Sequence, residues 1–277
     1  MADPALASAN TANAQTAEDA MSCCTVFYGQ DWVRALAEDC FHPGGADLTR
    51  RTLACMRLRP GMNIADVGCG AGRSTRLLAE ELGLCAFGVD PGLNKQPVEQ
   101  SGQFEALAHP GGTHFVQAEA ARLPFVDGGF DAVLAECSFS LFPDQPAALA
   151  EFRRILKPGG ALGITDMSVT GRLPPELEQK LAPWTCLIGA RSEAQYQSLF
   201  HREGFSVREC ADESGGLLDL ILRIKRNLVL LAAGSLMSRV STPVLDVSAI
   251  RFWLEQFREQ VESGRIRYLR FNLRRAS

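Results

Sequence analysis

The 277-residue chain is 46% hydrophobic and 22% charged, the proportions of a globular protein long enough to bury a substantial core. A formal net charge of −4 argues against a nucleic-acid binder, and the apolar run RNLVLLAAGSLM is too short and too closely flanked by charge to cross a bilayer. Nine cysteines with no CxxC pair point to reduced thiols in a cytoplasmic setting and away from a zinc knuckle.

Residues 1–20, rich in Ala, Asn and Thr, read as a disordered leader that lacks the basic start and apolar core of a secretory signal. Residues 21–60 read as an N-terminal lid and a helix, the helix over 47–58 stopping at RPG. From residue 61 onward strands and helices alternate. NIADV is a strand, 73–82 a helix, CAFGVD a strand, 93–107 a helix and THFVQAEA a strand. FDAVLAE is the next strand and 147–156 the next helix, after which KPGGALGIT turns into another strand. Strands apolar on both faces, alternating with helices, predict a doubly wound, mostly parallel α/β sheet with helices on both faces. FSVREC and RIRYLRFNL are late strands that bring the total to seven. Between them, at about 212–263, a helical insertion precedes the last strand, with helices over 217–231 and 247–261. In the second helix Val247, Ile250, Leu254, Phe257 and Val261 form a stripe expected to be buried.

The loop of DVGCGAGRST joins the first strand to its helix, the place where doubly wound sheets bind ligands. Gly68 and Gly70 permit close backbone approach, and Gly72 opens the helix with its amides facing the ligand. Asp90, with Pro91 behind it, closes the second strand where an acid can hold both hydroxyls of a ribose. A tight turn with an exposed acid is the plainer alternative.

The segments IADVGCGAG, GVD, AEAARLPF, FDAVLAECSFSLF and LAEFRRILKPGGALGITD, in that order over about residues 63–166, closely resemble the class I S-adenosylmethionine-dependent methyltransferases, which have a Rossmann-like fold. GCGAG in place of GxGxxG, and EAARLPF followed by FDAV, separate the chain from NAD enzymes. The resemblance implies S-adenosyl-L-methionine as cofactor. Asp66, Gly68, Cys69 and Gly70 would supply the loop against the methionine, Asp90 and Pro91 would lie at the ribose, and Glu119 with Ala120 at the adenine. Tyr28 in VFYGQDW, from the lid, and Glu136, at the end of the fourth strand, complete the implied cofactor set. The Cys69 side chain itself reads as structural.

The expected acceptor is a small molecule, with neither nucleic acid nor membrane expected as partner. Oxygen methylation needs a base, and none of the four histidines (42, 110, 114 and 201) sits in a recognisable acceptor motif. Cysteine offers another answer. Cys137 in AECSFSLF and Cys186 in PWTCLIGARSE are similar in placement to cysteines of arsenite methyltransferases. The likeness implies that Cys137, Cys186 and a lid cysteine, Cys40 before Cys23 or Cys24, act as the catalytic arsenite ligands. Trivalent arsenic is soft, prefers thiolates, and carries the lone pair that accepts the methyl, so no base is required. Glu136 stands where those enzymes have Asn, and the cysteine-rich C-terminal region many of them carry is missing. Two other readings stay open: a quinone-type or other small-molecule C- or O-methyltransferase, and a non-catalytic cofactor- or metal-binding sensor. The oligomeric state is not legible.

Overall fold

Short runs of Val, Ala, Leu and Phe, apolar on both sides, have no face to turn to water, and here they become the strands of one sheet. The computed structural model describes residues 42–93, 112–181, 185–232 and 247–276. Helix α1 (Gly45–Ala54) leads to β1 (Asn63–Val67), α2 (Arg73–Leu82), β2 (Cys85–Val89), β3 (Thr113–Val116) and β4 (Phe130–Glu136). A short helical turn, Phe139–Leu141, precedes α3 (Gln145–Ile155), β5 (Leu156–Val169), α4 (Pro175–Leu181) and α5 (Glu193–Arg202). The remaining elements are β6 (Phe205–Asp212), α6 (Ser214–Ala232), α7 (Val247–Glu262) and β7 (Ile266–Arg275).

The strands lie in the order β3-β2-β1-β4-β5-β7-β6. Those from β3 to β5 are parallel, and β7 runs antiparallel to both β5 and β6. Alternation along β4 shows how both faces are filled. Val133 and Ala135 join Phe152, Phe200 and Phe271 under α3 and α5, while Ala132 and Leu134 join Leu53, Met56 and Leu78 under α1 and α2. Each such side chain, once fully buried, contributes about 1.5–3 kcal/mol from area alone. A third cluster closes the carboxyl end of β5, where Leu217, Ile221, Phe257 and Val261 of α6 and α7 pack on Met167, Tyr268 and Cys186.

The seven-stranded sheet and the two late helices match expectation; some boundaries do not. Strand β3 stops at Val116, because beyond this sheet edge the chain turns through a hydrogen bond from the Arg122 N–H to the Glu119 carbonyl. In α7 the expected stripe is buried at Phe257 and Val261, while Val247, Ile250 and Leu254 are half-buried. The leader, Tyr28, Cys23, Cys24, Cys40, Trp184 and most of the helix expected over 93–107 lie outside the described residues.

Candidate active site

Parallel strands point their carboxyl ends at one rim, and here that rim gathers Asp66, Asp90 and Glu136 from β1, β2 and β4. Between β1 and α2 the N–H groups of Gly68 and Cys69 both donate to the Val89 carbonyl, at 2.7 and 3.1 Å, which folds the loop back over β2. Asp90 then accepts from the Gly70 N–H at 2.9 Å and the Gly92 N–H at 2.8 Å, one to each carboxylate oxygen. Each oxygen keeps outward lone pairs for a further donor.

Two glycines of the loop differ in what surrounds them. At Gly68 (φ +79°) a Cβ would come within 2.4 Å of the Ser138 side chain, so close packing alone requires glycine. At Gly70 (φ +53°) nothing lies within 4 Å of a Cβ, so that side of the loop is open and glycine is favoured there by its backbone angle. Helix α2 begins at Gly72 without a side-chain cap, and in its first turn the Thr75 amide donates to Asp66, tying the helix start to β1.

Asp66 is buried and accepts from the Thr75 hydroxyl at 2.6 Å. Burial pushes its carboxyl up to about 7, Thr75 opposes the shift, and the neighbouring Glu136 and Asp90 charges add to it. Three carboxylates this close disfavour one another's ionisation, and a bound cation relieves that. Cys69 contributes its backbone; burial, with Asp66 and Asp90 beside it, pushes its thiol upward, so it stays protonated and inert. Glu119 is exposed and Ala120 packs at the margin of the core, both on the loop after β3, and Pro91 accepts at its carbonyl from the Gln117 amide at 2.9 Å.

The other half of the site is built on β4 and β5. Glu136, 8% exposed, accepts from Thr49 of α1 at 3.0 and 3.1 Å and from Ser74 of α2 at 2.7 Å. His42 approaches the same carboxylate at 3.8 Å. The next residue, Cys137, has φ 51°, a left-handed conformation costly for a residue with a Cβ. Its amide donates to the Thr165 carbonyl at 2.7 Å, and its carbonyl accepts from the Cys186 thiol at 3.0 Å. These contacts bring the two sulfurs to 3.2 Å from each other. Strain held by this many contacts is a mark of functional sites.

The segment carrying Cys186 is pinned from below. The Ser140 hydroxyl lies 2.8 Å from both the Cys186 carbonyl and Asp166 and shares its one proton between them, and the Gln145 amide donates to the Gly189 carbonyl at 3.0 Å. Arg191 donates to Gln145 in turn, at 2.6 Å. Tyr268, from β7, bonds Thr165 at 3.0 Å; burial first, then the nearby Cys137, Asp166 and Glu136, hold its phenol well above the usual range, so it remains neutral. Cys137 and Cys186 thus lie side by side. Among the described residues no group of three or more His, Cys, Asp or Glu is arranged to hold a metal ion. Sequence reading missed His42, Thr49 and Ser74, which lie far from Glu136 in the chain and in no motif.

A family profile described as "Methyltransferase domain" matches residues 58–204. The chain is similar to an arsenite methyltransferase of Aquipseudomonas alcaligenes, 29% identical over 197 residues that cover 67% of this chain and 56% of the relative. It is also similar to an O-methyltransferase of Pyrenophora dematioidea, 30% identical over 168 residues, 60% of this chain and 62% of the relative. The chain therefore spans between 56% and 62% of the length of these two relatives. Among solved structures, phosphoethanolamine N-methyltransferase 2 of Haemonchus contortus, in complex with S-adenosyl-L-methionine, shares the fold at a TM-score of 0.69. That match is 18% identical and covers 93% of this chain and 57% of the other.

Proposed function

The chain belongs to the methyltransferase-domain family, and from that premise we propose that it uses S-adenosyl-L-methionine to methylate a small thiophilic acceptor, trivalent arsenic above all. The observation that carries this reading is the pair of thiols 3.2 Å apart at the carboxyl end of β4. With bonds of roughly 2.3 Å, as for metal–thiolate contacts, sulfurs at that spacing subtend roughly 90° at the ion. That is the angle of a pyramidal ion with a lone pair, narrower than the tetrahedral angle zinc prefers. Cys40 is the proposed third ligand.

The residues fit the donor. A sulfonium and an ammonium together make its head group cationic, which suits the rim of Asp66, Asp90 and Glu136. The free lone pairs of Asp90 suit a ribose diol, and the open side of Gly70 suits a ligand lying against main chain. When bound, S-adenosyl-L-methionine supplies an electrophilic methyl group whose bonding pair stays with the departing sulfur. The chain's part is positioning: the thiolates hold the acceptor with its lone pair exposed, and the apolar wall of Leu217, Ile221, Phe257 and Tyr268 limits water.

One further observation favours a second reading. His42 beside buried Glu136 is an imidazole–carboxylate pair able to take a proton from a hydroxyl acceptor, as the O-methyltransferase relatives suggest. Turnover separates the two. Repeated release of S-adenosylhomocysteine with arsenite, exceeding the enzyme present, supports the thiophilic reading. Turnover with phenols or catechols alone, abolished in His42→Gln, supports the second. Stoichiometric binding without turnover in either panel would mark a sensor.

A further inference from the structure

Helix α1 ends against the far end of the sheet, remote from the glycine loop, and leaves a cavity of about 300 Å³ between its last residues and strands β5, β6 and β7. Cys55, Met56, Ala161, Arg208, Glu209 and Asn272 are among its lining residues, with Arg274 beside them. We propose that this cavity is a second ligand site, for a small phosphorylated metabolite that also carries an O–H or N–H donor.

The charge is the first observation. Arg270, on the same strand, is matched by two carboxylates, with Glu213 at 2.9 Å and Glu209 at 3.0 Å. Arg51 adds a further ion pair to Glu213. Those four charges cancel. Arg208 and Arg274, which line the pocket, and Arg57, close enough to act on Arg274, have no carboxylate within 4 Å among the described residues, so an unbalanced cluster of guanidinium groups gathers at the pocket in a chain whose net charge is −4. Burial, then the nearby Arg57 and Arg208 charges, draw the Arg274 guanidinium below its usual range, the sign of like charges crowded together. A phosphate, able to accept from several guanidinium groups at once, relieves that crowding.

Glu209 does not oppose an anion here, because its oxygens are occupied. They accept from both Nη atoms of Arg270 at 3.0 and 3.1 Å, from the Cys55 thiol at 3.0 Å and from the Asn272 amide at 3.2 Å. The second observation is the other end of that amide. Asn272 is 4% exposed, and its Oδ1 is buried without a hydrogen-bond partner. A buried carbonyl oxygen left unpaired is costly, and a donor on the ligand removes the cost. The fold also aims Arg208 into the cavity: the β6–β7 register slips between Val207 and Glu209, so Arg208 is the extra residue of a bulge, a common device for re-aiming a side chain.

The test is calorimetric titration of the full chain with glycerol 3-phosphate, inorganic phosphate and glycerol, under saturating S-adenosyl-L-methionine so that the methyl-transfer site is occupied. Glycerol 3-phosphate should bind with one-site stoichiometry, more tightly than phosphate, with no response to glycerol. The exposed substitutions Arg208→Glu and Arg57→Glu should each weaken binding by about tenfold or more, while thermal melts stay near wild type. The control Arg202→Glu, in an arginine on the helix before β6, should change nothing. Absence of saturable binding by glycerol 3-phosphate, or binding unchanged in Arg208→Glu, overturns the proposal.

Discussion

At the β1–β2 end of the candidate site the exposed chemistry is main chain and carboxylate; at the β4–β5 end it is two thiols against an apolar wall. The first half depends on backbone amides, the bonds from Gly70 and Gly92 to Asp90, and on charge of one sign. The second half depends on side chains brought together from β4, the segment after α4, β7 and two late helices. The difference teaches how such a protein divides its tasks. On the proposed reading, a donor common to a whole family would be held by features any member can keep, while the acceptor corner would be assembled from parts free to vary.

The largest expected effect lies at the thiols. Cys137→Ser or Cys186→Ser removes a coordinate bond, a greater loss than the 10–100-fold typical of losing an outer-shell partner, so arsenite affinity should fall by more than roughly a hundredfold. Donor affinity in the same variants should stay near wild type. If the two affinities fall together, the halves are not separable and the comparison fails.

Next comes Asp90→Ala. Losing hydrogen bonds to a charged group costs about 1.5–3 kcal/mol, roughly ten- to a hundredfold in S-adenosyl-L-methionine affinity. Arsenite binding should be untouched. Calorimetry with each ligand in turn checks both statements.

A smaller effect follows from protons. With the Asp66 carboxyl at about 7, the free protein holds a proton there at pH 6 and has lost it at pH 8. A cationic donor favours the ionised form, so its affinity should rise about tenfold between those values, and Asp66→Asn should flatten the profile. The stability contribution runs the other way. Because the folded value lies above the ordinary 3.8, the contribution is complete below that pH and is lost as pH rises through about 7. Melts in the same buffers separate the two effects.

Least of all should happen at Cys69. Its thiol is pushed up and inert, so Cys69→Ala should leave arsenite affinity and donor affinity unchanged. A loss in either would assign the loop cysteine a role that its surroundings argue against.

What could be read from the chain follows the same division. The half proposed for the donor lies in contiguous motifs, DVGCGAG and GVD, whose spacing follows from one strand–loop–helix unit, so the contact of Gly70 with Asp90 could be anticipated from the chain. Cys137 and Cys186 were legible through resemblance, although 49 residues separate them. Thr49 and Ser74 were not: each belongs to a helix with its own periodicity, and the contact with Glu136 spans 87 and 62 residues. His42 was passed over for the same reason, since its proximity to Glu136 depends on how α1 crosses the sheet. The three unmatched arginines have no motif at all; β-bulge geometry at Arg208 and the end of α1 bring them together.

Strand β7 has a consequence for how the protein is made. Its residues, 266–275, follow those of the other six described strands in the chain, yet they lie between β5 and β6. While the ribosome is still adding α7, the donor loop and strands β1 to β5 are already in the nascent chain, but β5 presents an open edge and β6 has no neighbour. An unpaired edge of that kind is a template for pairing with other chains, and long-range antiparallel closure is a slow step. Until β7 docks, the open edge stays available to other chains, and Tyr268 is missing from the thiol corner.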